Sequence, residues 1–118
     1  MNSLLAGLVI LNGIVLVSQM EPRSTQADGG DPQQGRAIYE QHCQLCHGLR
    51  GKGDGEFGRV TNPPAADFTS ARSKQKPDAV LLATIQNGRP PTAMEGWKGQ
   101  LSDGQIQDVL AYVKSLRE

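Results

Sequence analysis

Cys43-Gln44-Leu45-Cys46-His47 is the stretch that decides how the rest of this chain is read. Two thiols separated by two residues and followed at once by an imidazole have the spacing of covalent haem attachment. The physical reason is reach. Two such thiols at the end of a helix can add to the two vinyl groups on one edge of a porphyrin, and the next residue then lies under the ring, where its imidazole meets the iron. A disulfide across so short a spacer would close a small loop and constrain the unfolded chain little. A thioredoxin-like redox pair needs a βαβ context that the flanking sequence lacks. A structural zinc site needs about four ligands, and here His42, Cys43, Cys46 and His47 crowd into six residues. Covalent haem is therefore the expected chemistry, and two cysteines anchor only one such group.

Working outward, residues 32–43 read as a helix leading into the cysteines, with Asp31 as N-cap, Pro32 at the first helical position and Ile38 and Tyr39 apolar. From His47 to Lys76, Gly48, Gly51, Gly53, Gly55, Gly58, Pro63 and Pro64 forbid a long helix and no alternating strand pattern replaces it. A second helix is expected over about 77–86, with Gly88 ending it. The last begins at Ser102, a cap with Gln105 three residues on, and carries Ile106, Val109, Leu110, Tyr112, Val113 and Leu116 at helical spacing. The expected fold is all-α, three main helices and long loops around the cofactor.

Composition agrees. The residues from Gln33 onward number roughly 86, a size at which a side-chain core alone is marginal. With 37% hydrophobic and 4% aromatic residues, 14 glycines and 7 prolines, the chain is loop-rich and thinly cored, and a large apolar cofactor would fill its middle. Lys plus Arg and Asp plus Glu both number 12, so nothing points to nucleic acid. Within residues 50–76 six cations outnumber three carboxylates, which reads either as a mildly basic face toward an acidic partner or as a solvated loop surface.

Leu4 to Val17 is an apolar run broken by Gly7, Asn12 and Gly13. Its length lies nearer a signal-peptide core than the roughly 20 residues of a spanning helix. Yet no Lys or Arg precedes it, and the one small-x-small site, Thr25-Gln26-Ala27, comes well after it. Residues 1–20 are therefore expected to be a signal peptide or an N-terminal membrane anchor, both of which imply export to the periplasmic side. Residues 21–32 form a polar linker and 33–118 the folded domain.

His42, the sequence neighbour of Cys43, cannot readily turn under the ring and reads as a surface or haem-edge residue. With His42 and His47 the only histidines, and Met1 and Met20 in the N-terminal segment, Met94 is the natural second axial ligand. It lies in the stiff loop Arg89-Pro90-Pro91-Thr92-Ala93-Met94; the plainer reading is a gap-filling core methionine. Ligation by His and Met raises the reduction potential and saturates the iron, which suits a carrier. No histidine lies free near Met94 to act as acid or base on a small molecule.

These residues resemble the class I monohaem c-type cytochromes, over roughly residues 33–118. Gly35 and Tyr39, four residues apart and ending four before Cys43, resemble the first-helix glycine and aromatic of that family, and Val109-Leu110-Ala111-Tyr112-Val113-Lys114 resembles its last helix. The resemblance implies that these two helices cross at the glycine, where close contact needs no Cβ. Gly48 to Gly55, followed by Asn62-Pro63-Pro64-Ala65-Ala66-Asp67-Phe68, resembles the bacterial subgroup with a CHGxxGxGDG loop, and Met94 sits where the family has its distal ligand. Glu95 departs from the proline that relatives often carry after that ligand. The resemblance implies that a proline carbonyl, of Pro63 or Pro64, accepts the proximal imidazole N–H. It also places Trp97 against the haem or its propionates, or in structural packing. The implied function is electron transfer between a donor and an acceptor redox protein rather than catalysis. The alternatives are a fixed haem subunit of a larger membrane respiratory or photosynthetic complex and, from another class, a haem enzyme or gas sensor with a displaceable sixth ligand.

Overall fold

The computed structural model describes Gly13 and residues 29–118. The expected signal peptide or anchor over residues 1–20, Gly13 apart, and the linker up to residue 28 lie outside the described residues. Five helices follow in order: α1 Pro32–His42, α2 Gln44–His47, α3 Ala71–Lys74, α4 Asp78–Asn87 and α5 Asp103–Ser115. Two isolated bridges, Gly88 with Glu95 and Lys98 with Leu101, are the extent of β pairing among the described residues. None of the described helices is long and apolar enough to cross a membrane.

Local chemistry sets the helix ends. Asp31 accepts the Gln33 N–H at 2.8 Å and Pro32 occupies the first turn, where its missing donor costs nothing. Gly88 ends α4 at φ 70°, and its N–H donates to the Thr84 carbonyl. At α5 the Ser102 hydroxyl accepts from the Gln105 N–H while the Gln105 side chain accepts from the Ser102 N–H, a complete capping box. Replacing Ser102 by Ala should cost about 1 kcal/mol in urea unfolding. A loss below about 0.3 kcal/mol would mean that tertiary packing, not the cap, holds this end.

The long first helix stops one residue early. Cys43 breaks it, its N–H still donating to Tyr39, and α2 restarts the coil for four residues. The one-turn α3, capped by Ser70, also interrupts what reads in sequence as continuous loop.

α5 packs on both α1 and α4. Its contact with α1 centres on Gly35, which is buried so tightly that a Cβ there would run into the carbonyl of Asp108. The buried core beside this crossing joins Tyr39, Phe68, Val109 and Val113, with Ile38, Cys43, Ile85, Tyr112 and Leu116 against it. Asp31 N–H donates to the Asp108 carboxylate at 2.8 Å and fastens the start of α1 to the middle of α5. The result is a rigid frame whose one end carries Cys43 and the turn after it.

Candidate haem site

α2 holds Cys46 and His47 on a single helical turn, and a four-residue helix has no stability of its own. Its neighbours provide it. The loop of residues 48–61 folds back so that Gly53 N–H donates to the His47 carbonyl at 2.8 Å, Gly55 N–H to that of Cys46 at 3.2 Å and Phe57 N–H to that of Leu45 at 3.1 Å. Three carbonyls that a helix end leaves orphaned are thus satisfied. The glycines are needed for approach: at Gly58 a Cβ would strike the Cys46 carbonyl. From the other side, the buried Tyr39 hydroxyl donates to the Gly48 carbonyl at 2.6 Å.

Cys43 and Cys46 are both free thiols, partly exposed. Burial, helped by the neighbouring Cys46, pushes the Cys43 thiol up to about 11, so it is protonated at neutral pH. Nothing ties the pair into a disulfide or into a metal cluster with other ligands among the described residues.

The His47 ring is held on two sides. Its Nδ1 lies 3.1 Å from the Ala66 carbonyl oxygen, and its face stacks on Phe68 with centroids 4.6 Å apart and planes 19° from parallel. A carbonyl only accepts, so Nδ1 carries the proton and the Nε2 lone pair faces away unprotonated. Burial lowers the His47 pKa, partly opposed by the bond to Ala66, and keeps the ring neutral. A neutral imidazole with Nδ1–H engaged and Nε2 free is the form that ligates iron. Two unpaired thiols three residues apart, next to such an imidazole, fit a covalently held haem.

The carbonyl at His47 belongs to Ala66, not to Pro63 or Pro64, and this corrects the sequence expectation. Ala65 N–H donates to the Gly58 carbonyl at 3.0 Å and Phe68 N–H to that of Gly51 at 2.7 Å. Pinned at both ends, the strand of loop between them presents residue 66 to the imidazole, while the two prolines lie exposed upstream.

The turn after Ala66 is held by Asp67. Its carboxylate accepts the Thr69 hydroxyl at 2.7 Å and the Thr69 N–H at 2.8 Å. Those two bonds, the hydroxyl first, hold the Asp67 pKa below the ordinary carboxylate value, with a smaller contribution from Lys52. A depressed folded pKa means that the stability contributed is present above the unfolded value of about 3.9 and is lost as pH falls through the folded one. In Thr69→Val the Asp67 carboxyl should titrate at higher pH by carbon-detected NMR. An unchanged titration would assign the depression to something other than Thr69.

Met94 is half-buried in the loop after α4. Its carbonyl accepts the Arg89 N–H at 3.0 Å and its N–H donates to the Thr92 hydroxyl at 3.3 Å. Trp97 is tied to α4 through its N–H and the Ile85 carbonyl at 2.8 Å, and its ring lies 4.9 Å from that of His42 at 49°. The end of α1 and the Met94 loop therefore meet through an aromatic pair that sequence reading had treated as two separate residues. Phe68 stands in the sequence as part of a loop motif, and its place two residues beyond the Pro-Pro-Ala-Ala run is the one signal of its role.

The chain matches, over residues 30–113, the family model described as cytochrome c oxidase, cbb3-type, subunit III. A dihydro-heme d1 dehydrogenase of Pseudomonas aeruginosa is 37% identical over 79 residues, which cover 67% of this chain and 14% of that protein. Subunit CcoP of a cbb3-type cytochrome c oxidase from Azospirillum brasilense is 31% identical over 101 residues, 85% of this chain and 32% of the subunit. The chain thus spans a third or less of the length of these two relatives. Among solved structures, the c-type cytochrome KustC0563 is similar with a TM-score of 0.62 at 25% identity, over 71% of this chain and 98% of that one. With its all-helical fold and its Cys-Gln-Leu-Cys-His turn, this chain belongs to the cytochrome c family, as a cbb3-type cytochrome c domain with one covalently bound haem c.

Proposed function

We propose that this domain is an electron carrier and not an enzyme, its haem linked to Cys43 and Cys46 and its iron held between His47 and Met94. The observation that carries the reading is the His47 ring, neutral, with Nδ1–H engaged by Ala66 and Nε2 left to bind metal. When bound, the haem supplies one iron that cycles between Fe(II) and Fe(III). The chain's own residues keep that change small. Ala66 and Phe68 fix the tilt of the imidazole, and the Gly53 and Gly55 N–H groups lock the turn that bears it. Met94, in a loop stiffened by Pro90 and Pro91, would supply the second iron ligand, a thioether that would raise the potential and keep small molecules off the metal. Trp97 and His42, whose rings meet, would lie at the cofactor edge between the two ligand-bearing segments. The glycine loop from Gly48 to Gly55 aligns the domain with the bacterial CHGxxGxGDG cytochromes.

Under this reading the domain works on the periplasmic side, soluble or tethered by residues 1–20, with residues 21–32 giving it reach toward a donor and an acceptor protein. A second reading, a fixed subunit of a membrane redox complex, is favoured by the match to the cbb3-type oxidase subunit model and to CcoP.

The test is the spectrum of the reduced holoprotein. The parent should be low-spin and indifferent to carbon monoxide, and Met94→Ala should turn high-spin and bind it. A parent that binds carbon monoxide would replace the carrier by a sensor or enzyme, and an unaltered Met94→Ala spectrum would remove Met94 from the iron. Gel filtration of native material separates the free carrier from the fixed subunit.

A further inference from the structure

The chain is neutral as a whole, yet its cations are gathered. Arg117, near the end of the chain, donates to the carbonyls of Ser73 and of Lys76, the latter at 3.0 Å, which draws the α3 segment onto the last turn of α5. Arg72 and Lys74 on α3 then stand beside Lys76 and Arg117, and Lys114 joins them through Asp78 at 2.6 Å. Arg89, from the end of α4, completes the group close enough to act on the Lys76 charge. The carboxylates of these segments are Asp78, shared between Lys114 and Arg117, and the exposed Glu118. Six cations thus face two acids, while the remainder of the sequence holds six cations against ten. The Lys76 ammonium is held below its ordinary range by burial and then by Arg89, Arg72 and Arg117, the expected sign of like charges that lack counter-ions.

A face with such an excess of cations attracts an anionic surface at long range. Of the six cations in residues 50–76 that the sequence suggested as a basic face, Arg50, Lys52 and Arg59 are interleaved with Asp54 and Glu56 and carry less net charge. We propose that the face built from α3, the residues flanking both ends of α4 and the last turn of α5 is the docking surface for an acidic redox partner protein. The inference rests on the electron-carrier reading and adds the chemistry and place of the partner. Arg72, Lys74 and Arg89 are exposed and make the contact; Arg117 and Lys76 are packed and shape it.

The experiment follows electron exchange between the ferric holoprotein and reduced flavodoxin, an acidic protein used as probe. One electron leaves the reduced flavin and converts ferric to ferrous iron. At low ionic strength the parent should react at least tenfold faster than Arg72→Gln/Lys74→Gln/Arg89→Gln, and the two should converge at high salt. The loop variant Arg50→Gln/Lys52→Gln/Arg59→Gln should stay near the parent. Equal rates for parent and face variant, or a larger effect of the loop variant, would overturn the assignment. Pelleting of the parent, but not of the face variant, with phosphatidylglycerol vesicles would assign the face to a membrane and overturn it as well. No reduction of any protein at any salt would instead sink the carrier reading on which the inference stands.

Discussion

Tyr39→Ala should destabilise the holoprotein by about 3–5 kcal/mol in denaturant unfolding, the cost of emptying a fully buried aromatic site. Tyr39 has no exposed surface, meets Tyr112 edge-on at 5.1 Å and 62°, and gives its only hydroxyl proton to Gly48. Burial raises its pKa, so the phenol stays a donor throughout the working pH range. A small domain holds about 5–15 kcal/mol in all, so this single change removes much of it. Tyr39→Phe separates the two contributions. The Gly48 carbonyl keeps its second bond, from Gly51 N–H at 3.2 Å, so loss of the hydroxyl should cost only about 1 kcal/mol. Were Tyr39→Ala to cost no more than Tyr39→Phe, packing at this position would have no energetic role and the α1–α5 core would lie elsewhere.

The second large effect belongs to Gly35→Val. Here nothing is removed; a side chain is added where helix backbone already stands. The new Cβ would meet the Asp108 carbonyl, and backbone cannot swing aside as a flexible side chain does. Relief requires α1 to move off α5, and overpacking of this kind costs about 1–3 kcal/mol or more. Ala37→Val, on the exposed side of the same helix, is the control and should stay within about 0.5 kcal/mol. The comparison is stringent because helix propensity favours Val over Gly and disfavours it against Ala, so a larger loss at residue 35 comes from the crossing. If the two variants unfold alike, the crossing at Gly35 is not close in solution.

The helix ends were legible because their causes are local. Asp31 and Pro32, Ser102 and Gln105, and Gly88 act on backbone groups within a few residues, so their effect can be read without knowing the rest of the fold. Hydrophobic spacing marked α4 and α5 to within a residue for the same reason. α3 was not marked: Ala71-Arg72-Ser73-Lys74 has no apolar period, and it is held by the Ser70 cap and by Arg117 from the far end of the chain. The partner of His47 is expected from the sequence at Pro63 or Pro64 and lies instead at Ala66, because in a glycine- and proline-rich loop no periodicity says which way each peptide faces. Bonds to Gly58 and Gly51, residues distant in sequence, settle that choice in favour of Ala66.

By itself, then, the order of residues determined the family's covalently bound haem, the thiol pair and adjoining imidazole proposed to hold it, the helical class and the glycine at which two helices can touch. Each depends on neighbours along the chain or on the absence of an atom. Tertiary structure alone decided which carbonyl holds the His47 tautomer, that Phe68 lies against its ring, that His42 meets Trp97, and that cations from three separate segments share one face. Those outcomes depend on where loops return after long excursions, and a loop's path is set by the few donors and acceptors that stop it.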